Sequence, residues 1–240
     1  MWRSLVPVCL CSLLVLTGAA PADRASAPKD SREALQAFND LIGSWRGTGE
    51  PDGSIEERQR NFWQEKIAWQ WKFKKDDVFL QADIGKGKYF TAAELRYLPD
   101  GDRYQLTAHT PAQQKLVFEG KLDRKRLTLE RKDAQSEEQQ RLVVRLLHSN
   151  RYLVTYEVKP KDAKLFRTVY RLGATKEGVP FASEDDGPEC VVSGGLGTIR
   201  VTYKGETYYV CCSGCRAAFK EEPEKYIKEY QARQKAKKSK

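Results

Sequence analysis

Apolar and polar side chains alternate along much of this chain, between residue 43 and about residue 172. The alternation is clearest over residues 67–74, 152–159 and 166–172. Successive side chains of a β-strand point to opposite faces, so a period of two places one face on a core and the other in water. This long region is therefore predicted to be mainly β.

Turn-forming sequences divide the same region into about nine or ten short segments. They are Pro51-Asp52-Gly53, Gly85-Lys86-Gly87, Pro99-Asp100-Gly101 and Ser149-Asn150. Besides the three stretches above, strands are predicted at residues 44–50, 78–84, 90–98, 104–110, 115–122, 126–131 and 142–147. Short antiparallel strands with tight turns predict an up-and-down barrel or a sandwich. A barrel is favoured because closure removes the exposed strand edges.

A short helix is predicted at residues 31–41, where Ser31 can cap the first turn and Gly43 ends the helix. The next segment, Gly43-Ser44-Trp45-Arg46-Gly47-Thr48-Gly49, resembles the first strand of the calycin superfamily of lipocalin-like barrels. It looks more specifically like the small bacterial relatives of nitrobindin and the fatty-acid-binding proteins. The resemblance spans residues 31–174 in strand pattern. It implies a barrel plugged at its closed end by Trp45, with an arginine such as Arg171 over the indole ring.

The same resemblance implies a barrel interior that holds a hydrophobic small molecule or, in some members, haem. Haem needs an axial ligand, commonly histidine. The chain has two histidines, His109 and His148, both near ends of predicted strands, where a surface position is the ordinary interpretation. No haem is therefore expected. The interior aromatic side chains are interpreted as core: Trp63, Trp69, Trp71 and Tyr156.

The common catalytic motifs are absent from this sequence. It contains no Gly-x-Ser-x-Gly, no P-loop and no His-Glu-x-x-His. The two histidines have no evident nucleophile or acid partner, and the acidic residues follow the exposed phase of the predicted strands. The chain is therefore predicted not to be an enzyme.

Four of the six cysteines are clustered near the C-terminus. Cys190 precedes a predicted hairpin at residues 198–210, and Cys211, Cys212 and Cys215 stand where its second strand meets a helix. Backbone N–H groups at a helix N-terminus favour the thiolate, which is the form that binds metal. Since Cys211 and Cys215 are about one helical turn apart, both can face Cys190. A small α+β module built on a bound metal is predicted, because so short a segment has too small a core to fold alone.

The segment 188–232 resembles the YHS/TRASH family of small heavy-metal-binding modules. Its three cysteines 190, 211 and 215 reproduce the family pattern of Cys, about twenty residues, Cys, three residues, Cys. Tyr208-Tyr209-Val210-Cys211 is similar to the family's Tyr-Tyr-Phe-Cys, and Phe219 and Pro223-Glu224-Lys225-Tyr226 match its trailing Phe and Pro-x-x-Tyr. The Gly-Met that often follows the first family cysteine is Val191-Val192 here. The resemblance implies binding of a soft or borderline metal ion, zinc or copper.

The ligand set and the state of the thiols stay open at this point. Three cysteines leave a tetrahedral zinc one ligand short, and Cys212, Glu189, Asp186 or water could be the fourth. Cu(I) accepts three thiolates without a fourth ligand. Two disulfides are the alternative outside the cytoplasm. Thiol–disulfide exchange through Cys212-Ser213-Gly214-Cys215 is a further hypothesis.

Residues 1–22 have the pattern of a secretory signal peptide. A basic start at Met1-Trp2-Arg3 is followed by an apolar run over residues 4–18 and by small residues, with cleavage expected after Ala20 or Ala22. The apolar run is shorter than the roughly 20 residues that a membrane span needs. A periplasmic or secreted protein without a transmembrane span is predicted, and an uncleaved N-terminal anchor is the alternative. Cys9 and Cys11 would be removed with the peptide.

The net charge of +9 does not point to nucleic acid. Most basic residues are interleaved with acids, and export would separate the protein from nucleic acid. The exception is the basic tail, residues 233–240, which is predicted to be solvated and could attract an anionic envelope surface. A polar linker is predicted at residues 175–187, between the barrel and the module. The sequence thus predicts an exported metal-binding protein, or alternatively a carrier of a hydrophobic small molecule with a structural cysteine appendage.

Overall fold

The computed structural model describes residues 30–75, 77–178 and 187–239. The predicted signal peptide and Asp186 lie outside these residues. Within them, ten antiparallel strands form a closed barrel in which each strand pairs with its sequence neighbour and the last pairs with the first. The strands are β1 (Gly43–Pro51), β2 (Trp63–Lys74), β3 (Asp77–Gly85), β4 (Ala92–Leu98), β5 (Arg103–His109), β6 (Lys115–Asp123), β7 (Arg126–Lys132), β8 (Gln139–His148), β9 (Arg151–Lys159) and β10 (Arg167–Lys176). The predicted up-and-down barrel, followed by a small cysteine-containing region, is confirmed.

One end of the barrel is filled by the segment that precedes β1. The sequence predicts one helix there, but the structure divides it into α1 (Ser31–Leu35) and a 3₁₀ helix (Gln36–Leu41). The Ile42 N–H donates to the carbonyl of Asn39 at 3.1 Å, so the last turn is tightened as the chain enters β1. The apolar side chains of this segment close the barrel: Leu35, Phe38 and Leu41.

Trp45 lies at this closed end, where its indole N–H donates to the carbonyl of Leu41 at 2.7 Å. The expectation that Arg171 covers its ring is wrong. Tyr170 and Leu172 point into the barrel, so the alternation of β10 directs Arg171 outwards, where it pairs with Asp52. The cation over the Trp45 ring is the ammonium group of Lys176, 5.3 Å from the ring centre.

A second helix, α2 (Ile55–Asn61), connects β1 to β2 and was not predicted from the sequence. The Oγ of Ser54 accepts from the Glu57 N–H, and the Glu57 carboxylate accepts from the Ser54 N–H. This Ser-x-x-Glu capping box was a readable signal, because it satisfies two N–H groups that a helix start leaves unpaired.

The C-terminal region packs on the barrel at the end that α1 fills. It comprises the hairpin of β11 (Ile199–Tyr203) and β12 (Glu206–Val210), followed by α3 (Ser213–Glu221) and α4 (Pro223–Lys238). Helix α3 lies against β2, and the hydroxyl of Ser213 donates to the side-chain carbonyl of Gln70 at 2.9 Å. Helix α4 is joined to α1 by a salt bridge between Glu229 and Arg32. The buried side chains of barrel and C-terminal region form one continuous core.

The basic tail is more ordered than the sequence predicts. Helix α4 continues through it to Lys238, and the side chains of Arg233 and Lys237 both bind the carboxylate of Glu189. These ion pairs hold the tail against the start of the cysteine region. Among the helices in the described part of the chain, none is long and apolar enough to cross a membrane.

Candidate metal centre and barrel cavity

Backbone hydrogen bonds of the loop 190–195 hold Cys190 beside the hairpin. Cys190 forms a parallel bridge with Tyr209 of β12, and the Val191 N–H donates to the Tyr209 carbonyl at 2.8 Å. The loop then folds back, with the Cys190 N–H donating to the carbonyl of Gly195 at 2.6 Å. Because β12 ends at Val210, this arrangement places Cys190 next to the cysteines that follow the strand.

Three thiols converge at this point. The Sγ atoms of Cys190, Cys211 and Cys215 all lie within 4.8 Å of one another, and Cys211 Sγ is 3.5 Å from Cys215 Sγ. Cys190 and Cys215 are completely buried, whereas Cys211 is partly exposed. Such a cluster of soft ligand atoms could hold a metal ion.

Within the cluster the thiolate form is favoured at Cys190, whereas hydrogen bonds to Cys190 and Cys212 raise the pKa of Cys211. Hydrogen bonds from Cys211 and Cys215 lower the pKa of Cys190, with help from the Ser193 N–H, which lies 3.4 Å from Cys190 Sγ. Burial, by contrast, raises the pKa of Cys215. Three sulfurs so close together cannot all be charged unless a positive charge lies among them. A metal cation supplies that charge and favours the ionised form of all three.

The fourth predicted residue, Cys212, lies beside this group and outside the set of three. It is the N-cap of α3 and faces the barrel, and its own exposure is 8%. Hydrogen bonds from the thiols of Cys211 and Cys215 and from the backbone N–H groups of Cys215 and Trp71 lower its pKa. Cys212 therefore stands where the thiol cluster meets β2.

Glu189, one of the possible fourth ligands, is directed elsewhere. Its carboxylate accepts hydrogen bonds from Arg233 at 2.8 Å and from Gln234 and Lys237 at 2.7 Å each. These three donors on α4 satisfy the carboxylate. Burial alone would raise the pKa of Glu189, but Lys237 and Arg233 lower it. Glu189 thus anchors α4, and its carboxylate is not placed as the fourth ligand in this arrangement.

All four described cysteines are free thiols. The two-disulfide alternative is therefore not the state that the structure shows. Exchange through Cys212 and Cys215 also lacks geometric support, because Cys215 is fully buried and a reactive thiolate needs access to its substrate.

Asn39 ties the cysteine loop to the barrel, a contact that the sequence does not predict. Its side-chain amide donates to the carbonyl of Ser193 at 3.1 Å, and its oxygen accepts from the indole N–H of Trp71 at 3.2 Å. The partners are far apart in sequence, so no local pattern predicts the contact. A polar side chain between the buried Phe38 and Leu41 was the available hint.

The barrel interior contains a second candidate site, a cavity of about 90 Å³. Its lining is mostly apolar and includes Leu95, Leu129 and Tyr170. Pockets for drug-sized ligands usually measure about 300–1,000 Å³, so this one is too small for a fatty acid. His109 ends β5 and does not line the cavity.

One acidic side chain, Glu65, lies inside the barrel. The expectation that acidic residues follow the exposed phase is wrong here, because Glu65 shares the interior phase of β2 with Ile67, is 9% exposed and lines the cavity. The indole N–H of Trp63 donates to its carboxylate at 3.0 Å. Burial raises the pKa of Glu65, and the hydrogen bonds from Trp63 and from the Lys88 backbone only partly offset this effect.

Replacing Glu65 with glutamine is expected to raise the free energy of unfolding near neutral pH. An acid whose pKa is raised by folding stabilises the folded state below its unfolded pKa, and that contribution is lost as pH rises through the raised pKa. The advantage of Glu65→Gln should therefore be small near pH 4 and grow with pH. Urea unfolding between about pH 4 and 8 measures it. The exposed Glu130→Gln is the control, and an advantage that shrinks with rising pH would contradict the expectation.

No protein-family model matches this chain, and no curated protein matches it. The two resemblances noted in the sequence therefore rest on the chain's own features. The closed ten-stranded antiparallel barrel of the described residues is consistent with a lipocalin-like barrel, and the three-cysteine cluster is consistent with a metal site.

Proposed function

We propose that this chain is an exported, non-catalytic protein that binds zinc or copper through Cys190, Cys211 and Cys215. The observation that carries the proposal is the convergence of these three thiols within 4.8 Å of one another. They come from a loop, from the residue after β12 and from α3. The turn from β12 into α3 brings Cys211 and Cys215 together, and the loop that precedes the hairpin adds Cys190 as the third soft ligand.

The donor set supports a soft or borderline ion. Thiolates select Cu(I) and zinc over hard ions such as magnesium and calcium, which prefer oxygen ligands. Cu(I) is satisfied by three thiolates, whereas zinc takes a fourth ligand. With Glu189 occupied by α4, the nearest fourth sulfur is that of Cys212, and water is the alternative at the partly exposed side of Cys211.

The surroundings of the thiols explain how the chain would retain an ion. Ser193 is completely buried between two of them, with its N–H 3.4 Å from Cys190 Sγ and its Oγ 3.4 Å from Cys211 Sγ. Hydrogen bonds of this kind orient a ligand atom and favour its charged form. Burial of Cys190 and Cys215 excludes water, so exchange of the ion would take place on the Cys211 side.

Export is proposed from the signal-peptide pattern of residues 1–22. In an oxidising compartment free thiols tend to form disulfides. A metal bound to the three sulfurs would protect them, because the lone pairs that attack an oxidant are then engaged. Bound metal would therefore keep the three thiols from forming disulfides in the exported protein.

The decisive experiment combines metal content and thiol reactivity of the protein exported by its host. Near-stoichiometric zinc or copper is expected, with thiols that react only after a chelator has removed the metal. Truncation before Cys190 should remove the metal from the remaining barrel. Metal-free protein without reactive thiols would instead identify a disulfide-bonded appendage, and equal metal content in the truncated chain would move the site to the barrel.

A further inference from the structure

An aromatic cluster adjoins the cavity at the barrel end opposite α1, and one of its rings, that of Tyr170, lines the cavity. The rings of Tyr89 and Tyr170 are stacked with centres 4.3 Å apart, and the Trp63 ring lies 5.5 Å from each of them. Trp63 begins β2, Tyr89 lies between β3 and β4, and Tyr170 belongs to β10. Side chains from three parts of the barrel thus form one mouth, which we call the aromatic mouth: Trp63, Tyr89 and Tyr170.

This mouth already attracts a cation. The ammonium group of Lys88 lies 4.8 Å from the centre of the Trp63 ring and 5.9 Å from that of Tyr89. Ring faces carry partial negative charge, so an ammonium group at this distance is stabilised, and more so when it is shielded from water. Lys88 lies in the loop that joins β3 to β4. This loop follows Gly85, the last residue of β3, and contains Gly87.

The carboxyl group of Glu65 lies directly below the mouth. It accepts from the Trp63 indole and lines the cavity. Among the described residues that line the cavity it is the one acid, and neither lysine nor arginine is among them. The interior therefore offers an acidic group beside apolar walls and, among the described lining residues, no basic side chain that would pair with a fatty-acid carboxylate.

We propose that the cavity and the aromatic mouth bind a small organic ammonium ion. Its ammonium group would lie between the Glu65 carboxylate and the aromatic rings, in place of Lys88, and its short alkyl chain would enter the apolar cavity. A cavity of about 150 Å³ accommodates benzene, so the volume of about 90 Å³ limits the ligand to a few non-hydrogen atoms. The inference concerns the barrel alone and does not depend on the metal centre.

The ammonium charge has a specific role in this arrangement. Burial raises the pKa of Glu65 because its charged form loses contact with water inside the barrel. A bound ammonium ion supplies that compensation, whereas a neutral or anionic molecule does not. Selectivity for a cation over molecules of equal size is therefore the signature of the site.

The test compares three probes with four non-hydrogen atoms each: propylammonium, 1-propanol and acetate. Binding to the purified protein is followed through the indole N–H resonance of Trp63, assigned with Trp63→Phe. Propylammonium is expected to shift this resonance saturably and to bind at least about tenfold more tightly than 1-propanol, with no saturable shift from acetate. Equal binding of propylammonium and 1-propanol, or no binding of either, would overturn the proposal.

Two variants locate the ammonium group. Glu65→Gln keeps an acceptor for the Trp63 N–H and removes the charge, so it should weaken propylammonium binding at least about tenfold, while the exterior Glu130→Gln leaves it unchanged. Lys88→Gln should strengthen binding because it vacates the ring faces, and Lys86→Gln, which removes the same charge from the same loop, should not. Undiminished binding by Glu65→Gln, or weaker binding by Lys88→Gln, would contradict the proposed position.

Discussion

Replacing Cys215 with serine is expected to abolish stoichiometric metal binding. Cys215 is completely buried and belongs to the cluster of three thiols. A serine hydroxyl is a hard, weakly acidic group that does not replace a thiolate for zinc or Cu(I). Since altering even the hydrogen-bond partners of metal ligands typically costs 10- to 100-fold in affinity, loss of a ligand should cost about 100-fold or more. Competition with a chromophoric chelator measures the change.

Cys212→Ser provides the matched control, because it removes a neighbouring thiol that lies outside the cluster of three. Its affinity for Cu(I) should stay within about threefold of the parent, a change below 1 kcal/mol. Circular dichroism of both variants with and without metal shows whether the fold is retained. An equal loss of Cu(I) affinity in the two variants would contradict a three-thiolate site and make Cys212 a ligand.

Replacing Gly214 with alanine is expected to have the largest effect on stability. A Cβ atom at this position would lie 1.7 Å from the backbone carbonyl oxygen of Trp71, far inside van der Waals contact. Neither α3 nor the β2 backbone can move away by rotating a side chain. Overpacking of this kind costs about 1–3 kcal/mol and occasionally more, so a loss of about 3 kcal/mol in the free energy of unfolding is expected.

Urea unfolding followed by tryptophan fluorescence measures this loss, and Gly85→Ala is the matched control. At Gly85 the nearest atom to an added Cβ is 3.8 Å away, which is an ordinary van der Waals contact. Gly85→Ala is therefore expected to change the free energy of unfolding little. Gly214→Ala should also weaken metal binding, because α3 carries Cys215. An equal free energy of unfolding for Gly214→Ala and Gly85→Ala would show that α3 does not pack on β2 as closely as described.

The strand pattern and its consequences were readable from the sequence. A period of two is a property of neighbouring residues, so it predicts both the strands and the side of the sheet on which each side chain lies. The same rule, applied to Tyr170 and Leu172, already directs Arg171 out of the barrel. The wrong placement of Arg171 over Trp45 came from the resemblance, and the alternation would have corrected it.

The cysteine cluster was predictable for a similar reason. Cys211 and Cys215 are separated by about one helical turn, and Cys211 directly follows the second hairpin strand, so local geometry brings two thiols to one side. The position of Cys190 required the longer-range spacing carried by the resemblance. The role of Glu189 was not predictable, because its partners lie on α4, more than forty residues further on.

Local periodicity was thus sufficient for the strands, for the faces on which most of their side chains lie and for the proximity of Cys211 to Cys215, because each depends on the geometry of a few consecutive residues. The packing of α3 on β2 through Gly214, the link of Asn39 to Ser193 and the burial of Glu65 beneath Trp63 were decided by tertiary structure. Two of these contacts join residues more than a hundred positions apart. The third, between residues 63 and 65, depends on closure of the barrel, which excludes water and turns an ordinary strand acid into a buried one.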